Sequence, residues 1–187
     1  MHPFSVCVFC GARPGKSPKF TEIAREFGQR LADENMRLVY GAGDVGIMGE
    51  VARTVQVAGG ETFGVIPQHL EQAEVGKSDL STYVVTETMH ERKKVMFMNA
   101  DAVVLLPGGA GSLDEFFEVL TWAQLDLHAK PILVMNAEGY WDPLIALIDH
   151  VIAQEFADGS IKTLFKTKTS IEDLMSSLNA KRSQRGG

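Results

Sequence analysis

The sequence predicts an α/β fold: a Rossmann-like, doubly wound, mainly parallel sheet with helices on both faces. Three observations predict it. Short β-rich runs alternate with helical patterns along the 187 residues. Two of those runs, "AVVLL" and "PILVM", are apolar almost throughout, as strands buried on both faces of a parallel sheet are. Glycine-rich segments follow the strands: "CGARPG" after the first, "YGAGDVGIMG" after the second and "LPGGAGS" after the fifth. In such a sheet these loops gather at the carboxyl edge, where ligands bind.

In chain order, the β-rich runs are Ser5–Phe9, Arg37–Tyr40, Glu61–Val65, Thr82–Thr86, Ala102–Leu106, Ile132–Asn136 and a weaker one at Thr163–Phe165. The helical patterns between them span Pro18–Glu34, Ile47–Ala58, Met89–Asn99, Leu113–Leu125, Asp142–Glu155 and Ile171–Leu178. Thr88 and Glu91 form a capping box for the third helix, and Ser112 and Glu115 form one for the fourth. No internal repeat or linker divides the chain. Residues 1–180 read as a single nucleotide-binding domain, and 181–187, within "NAKRSQRGG", as a flexible tail.

Composition narrows the function. A net charge of −6 and a pI near 5.4 argue against a general nucleic-acid surface but leave room for a local anion pocket. The apolar runs are too short to span a membrane, and "MHPFSVCVFCGA" lacks a signal peptide's charged start, so a cytoplasmic protein is the default. Cys7 and Cys10 spell C-x-x-C, but residues three apart in a strand face opposite sides, roughly 10 Å apart, beyond the ~7 Å disulfide limit. They read as small buried residues, and no other Cys or His completes a zinc set.

Several motifs carry chemistry. Gly41, Gly43 and Gly46 spell G-x-G-x-x-G between a strand and a helix. A dinucleotide site also needs an acid ending the next strand; Glu61 has the spacing but begins that strand. The glycines therefore contact a mononucleotide phosphate, or simply turn the chain. Arg92, Lys93 and Lys94 follow Thr88 at the helix end that disfavours cations. Arg92 has no acid three or four residues away, which makes its fork a candidate phosphate ligand; a solvated basic patch is the bland alternative. Gly109, Gly111 and the following helix start can hold a phosphate while Glu115 works at a glycosidic bond, or Glu115 only caps the helix. Glu74 could touch ribose hydroxyls and Thr121 could reach the site from the inner helix face; Met98, in a core-like "VMFMN", could lie near a base.

Together "VYGAGDVGIMG", "GVIP", "MHERK", "DAVVLLPGGAGSLDE" and "WAQLDLHAKPILVMNAEGYWDPL" resemble the Lonely guy (LOG) family. These are cytokinin-activating nucleoside 5′-monophosphate phosphoribohydrolases, often mislabelled as possible lysine decarboxylases. The resemblance implies hydrolysis of AMP or an N6-prenylated AMP to free base and ribose 5-phosphate, without metal or cofactor, by a homodimer. It implies Arg92 and Glu115 as the catalytic pair. It places Glu74, Lys93, Gly108, Gly109, Ala110, Gly111, Ser112, Thr121 and Gly43 around the substrate. The chain departs from the family pattern at Ala12, Ala42, Ser112 and Asp114. Ala42 stands in the usual G-G-G turn, where its Cβ is expected to narrow the approach to a ligand. A non-catalytic nucleotide-binding carrier or sensor is the alternative reading. A decarboxylase is disfavoured, because no Lys stands out as a Schiff-base residue.

Overall fold

A computed structural model describes residues 3–71 and 79–185. Its strands are β1 (Ser5–Phe9), β2 (Arg37–Tyr40), β3 (Thr62–Pro67), β4 (Thr82–Thr86), β5 (Ala102–Leu105), β6 (Ile132–Met135) and β7 (Phe165–Lys168). They form one seven-stranded sheet in the order β4-β3-β2-β1-β5-β6-β7, and every pairing is parallel. The helices are α1 (Pro18–Asp33), α2 (Gly46–Val57), the short α3 (Gln68–Glu71), α4 (Met89–Met98), α5 (Ala110–Gln124), α6 (Asp142–Ala153) and α7 (Ile171–Arg185). This is the doubly wound α/β architecture that the alternating pattern implies.

Alternation along each strand splits the core in two. Val6, Val8, Leu38 and Val104 face α1, α2 and α7, packing on Phe27, Leu31, Val51 and Leu174. Cys7, Phe9, Val39 and Val103 face the other layer, with Met96 of α4, Phe116 and Leu120 of α5 and Ile148 of α6. Cys7 and Cys10 are thus on opposite faces, buried and free, as strand geometry requires. Helix α1 shows why a segment folds as it does. Ser17 accepts from the Lys19 N–H at 3.3 Å, Pro18 occupies the first turn, and Phe20, Ala24, Phe27 and Leu31 bury one stripe.

The strand order positions the site. From β1 the sheet grows outward to β4, and from β5 it grows the other way to β7. The connections leaving β1 and β5 therefore diverge, opening a crevice at the carboxyl edge. Phe9 is in register with Leu105, and the Gly11 N–H donates to Pro107 O at 3.0 Å, holding the two exit loops side by side.

Besides the short α3, for which the sequence reading had no helix, and β3, which runs on to Pro67, three elements differ from that reading. Gly159–Thr163 is a 3-10 turn capped by Asp158, so the last strand starts later, at Phe165. Helix α5 begins at Ala110, not Leu113, with Gly109 as its N-cap. Helix α7 runs past residue 180 to Arg185. Asn179 and Arg182 bond Glu34, and Arg185 pairs with Asp101 at 2.6 Å, so part of the expected tail is a docked helix.

Ala42 has a left-handed φ of 59° and is fully buried, but its methyl lies against Gly64 of β3. The cleft is lined by Gly43 instead, so Ala42 does not narrow it. A Cβ on Gly64 would come within 2.9 Å of the Ala42 Cβ and 2.2 Å of Leu80 Cδ1. Gly64→Ala is expected to cost about 1–3 kcal/mol by overpacking, read as a lower urea midpoint at an unchanged slope. The double variant with Ala42→Gly should recover part of that loss.

Candidate active site

A cavity of about 700 Å³ opens at the carboxyl edge, between the loops leaving β1, β2 and β5. Its anion-binding wall is the start of α5. Because Gly109 caps the helix and Leu113 makes the first bond back to it, the N–H groups of Ala110, Gly111 and Ser112 have no helical partner. They carry the positive end of a fifteen-residue helix. The Ser112 hydroxyl does not cap the helix as S-x-x-E suggests. It lines the cavity, buried and without a hydrogen-bond partner among the described residues. Gly108 must lack a side chain, since a Cβ would meet Ser112 Oγ at 2.1 Å and the Gly11 backbone nitrogen at 2.8 Å.

Arg92 enters from α4, whose start is fixed by the Thr88–Glu91 capping box. The side chain is 6% exposed. Its Nε donates to Val65 O at 3.0 Å and its Nη2 to Gly41 O at 2.7 Å. Gly41 is the close approach that permits this: a Cβ there would lie 1.9 Å from Nη2. Two carbonyl dipoles orient the guanidinium without neutralising it, and Arg92 forms no ion pair among the described residues. A buried, oriented and unpaired cation is costly unless an anion comes to it.

Glu115 lines the same cavity from the second turn of α5, where side chains lean back toward the helix start. It caps nothing. Burial pushes its carboxyl pKa up to about 7; Arg92 opposes the rise, Asp114 adds to it, Lys93 opposes it and Glu118 adds to it. The acid therefore changes charge near neutral pH, where proton transfer is most useful.

The other expected residues divide. Gly43, Gly108, Gly109, Gly111 and Ser112 line the cavity, while Ala110 contributes its place in the first helical turn. Lys93 does not line it. Its side chain is 7% exposed and pairs with Asp114 at 2.9 Å and Glu118 at 3.1 Å. Thr121 is exposed on α5, outside the cavity and not on the inner helix face from which it was expected to reach the site. Met98 is 67% exposed and also outside; Met48 and Met89 supply the apolar wall instead. Glu74 lies outside the described residues.

Sequence reasoning missed Arg13 and Lys16, cations on the loop after β1, and Tyr140. The Tyr140 hydroxyl donates to Gly108 O at 2.5 Å, and its ring meets Phe20 edge-on at 5.2 Å. Asn136 sets up that loop, accepting from the Trp141 N–H and donating to Asp142, both at 2.7 Å. The signal was the polar–aromatic "NAEGYW" at another strand's carboxyl end. Tyr140→Phe should loosen Gly108 and weaken inorganic phosphate or AMP binding severalfold, about 1 kcal/mol, in calorimetric titration.

Cys10 also lines the cavity, but burial pushes its thiol up, so it forms a neutral wall. Lys93 is a poor Schiff-base candidate. Burial would lower its pKa, but Asp114 and Glu118 outweigh that and hold it as an ammonium. Among the described residues no group of metal-ligating side chains converges, and no helix is long and apolar enough to cross a membrane.

Comparison with known proteins follows this geometry. Residues 48–178 match the family described as "Possible lysine decarboxylase". The probable cytokinin riboside 5′-monophosphate phosphoribohydrolase LOGL9 of Oryza sativa subsp. japonica is 42% identical over 92% of this chain and 76% of its own. The cytokinin riboside 5′-monophosphate phosphoribohydrolase LOG5 of Arabidopsis thaliana is 37% identical over 94% and 77%. Among solved structures, the molybdenum cofactor binding protein of Rippkaea orientalis superposes with a TM-score of 0.72 at 20% identity, covering 96% of this chain and 98% of that one. The Moco carrier protein of Chlamydomonas reinhardtii gives 0.70 at 17% identity, covering 98% and 99%. These two share the fold, and the plant enzymes share the sequence: the chain belongs to the Lonely guy family.

Proposed function

We propose that the protein hydrolyses the N-glycosidic bond of a nucleoside 5′-monophosphate, AMP or an N6-prenylated AMP, releasing free base and ribose 5-phosphate. One observation carries the reading: an unpaired Arg92, a Glu115 with pKa about 7 and the open amides of α5 share one cleft. The 5′-phosphate lies on the α5 start with the Ser112 hydroxyl, and Arg13 and Lys16 add positive charge. Glu115 stands less than two helical turns further along, about one ribose away. The base takes the apolar side, against Met48 and Met89.

In the reaction the bond from C1′ to the base nitrogen breaks and its electron pair leaves with the base, which takes a proton. Water adds a hydroxyl to C1′ and gives up its remaining proton. The ribosyl centre passes through an oxocarbenium-like state that a carboxylate stabilises, and the same carboxylate can accept the proton of the attacking water. Arg92 balances the charge on that side of the cleft.

The protein acts in the cytoplasm as a homodimer. Phe117, Thr121 and Leu125 recur every four residues on the exposed side of α5, and the two apolar members are 36% and 63% exposed, a face suited to a second copy. Phe117→Glu should convert the dimer to a monomer by light scattering. The function is tested by following base release from AMP, N6-isopentenyl-AMP and the two parent nucleosides. Release from nucleotides only is expected; equal release from nucleosides would remove the phosphate from the account.

A further inference from the structure

We infer that Lys93 is a positioning residue: clamped between Asp114 and Glu118, its ammonium holds α5 against α4 and shields Glu115 from its two acidic neighbours. The kinetic half of this inference rests on the ribosidase reading; the titration half does not.

Asp114 and Glu118 are four apart on α5, so their like charges face one another. Lys93 crosses from α4 and contacts both, at 2.9 and 3.1 Å, and is almost wholly buried in doing so. Glu115 stands between them, one residue after Asp114 and three before Glu118. The clamp therefore borders the cleft on the same two turns of helix: Asp114 lines the cleft beside Glu115 while its carboxylate holds Lys93. Lys93 does not line the cleft.

The charged and titratable groups acting on Glu115 come from three elements. Arg92 and Lys93 act on it from α4, Asp114 and Glu118 flank it on α5, and Cys7 of β1 and Cys10, just past the end of that strand, feel its charge. Burial keeps both thiols neutral, so two cations stand against two anions. Without Lys93, one cation faces two unneutralised carboxylates, and the Glu115 proton is held more tightly. Without the two acids, two cations act unopposed and the proton is released more easily. Arg at position 93 keeps the charge, whereas Met keeps only the stem.

The test is a carbon-13 NMR titration of the Glu115 carboxyl in the full-length protein, compared among wild type, Lys93→Met, Lys93→Arg and the Asp114→Asn/Glu118→Gln double variant. Lys93→Met is expected to raise the Glu115 midpoint by about one pH unit, the double variant to lower it, and Lys93→Arg to leave it near wild type. In base-release assays the arm of the pH–rate profile set by Glu115 should move with the midpoint. A Lys93→Met protein with an unchanged midpoint and a raised KM at every pH would overturn the clamp and make Lys93 a substrate contact. If Lys93→Met does not fold, the double variant decides: an unmoved midpoint there overturns the proposal. Absence of base release in wild type would sink the ribosidase reading, while the titration would still decide the clamp.

Discussion

Glu115→Gln is expected to lower kcat/KM for base release roughly a thousandfold while making the fold more stable at alkaline pH. The two effects have one origin. Burial raises the native carboxyl to about 7, well above its value in the unfolded chain. Between those values the native state holds a proton that the unfolded state has lost, so this residue costs stability as pH rises, and the cost is complete above pH 7. The neutral amide never bears it. Glu115→Gln should therefore gain on the order of 1–3 kcal/mol at pH 8, several degrees in Tm, and almost nothing at pH 4. A residue that only capped the helix would show neither effect, because Gln also serves in a capping box. Equal melting temperatures at pH 8 together with full activity would return Glu115 to that structural role.

The second large effect comes from a residue with no side chain. Gly41→Ala would put a carbon 1.9 Å from Arg92 Nη2, so the guanidinium must leave the Gly41 carbonyl it now bonds at 2.7 Å. A buried cation that loses such a hydrogen bond costs about 1.5–3 kcal/mol unless it moves to water. Either way Arg92 no longer points where the substrate anion sits. Base release should fall at least a hundredfold, with weaker AMP binding in calorimetry. The Glu115 midpoint should rise, because Arg92 no longer pulls it down. Arg92→Lys should share these losses, since an ammonium cannot span the carbonyls of Gly41 and Val65. Full activity in Gly41→Ala would mean that the orientation of Arg92 is immaterial.

Much of the fold was legible because its signals are local. Apolar runs, helical periodicity and glycines after strands depend on near neighbours, and they placed seven strands close to where they lie. Arg92 was legible for the same reason: a cation at a helix start with no acid in reach is out of place whatever the rest of the chain does. What failed depends on distance. Lys93 finds its partners 21 and 25 residues further on, in another helix, so one sequence window shows a free lysine. Tyr140 reaches Gly108 only because β6 lies beside β5, and strand order is not written in either segment. At Ser112 two local signals competed. The S-x-x-E pattern fits a cap, but the glycines before it let the helix start earlier, leaving the hydroxyl facing the cleft. Helix α7 outran its apolar pattern because its polar last turns are held by Glu34 and Asp101 rather than by the core.

The central claim, that this cleft hydrolyses a glycosidic bond, is tested most directly in water enriched in oxygen-18. Wild type is incubated with AMP and, separately, with N6-isopentenyl-AMP, and the products are weighed by mass spectrometry. The predicted result is free base in equal amount to ribose 5-phosphate, the sugar carrying one solvent oxygen from the attacking water when quenched before exchange. Saturable binding of both nucleotides with neither product formed would contradict it, and would make this protein a nucleotide carrier or sensor built on the same fold.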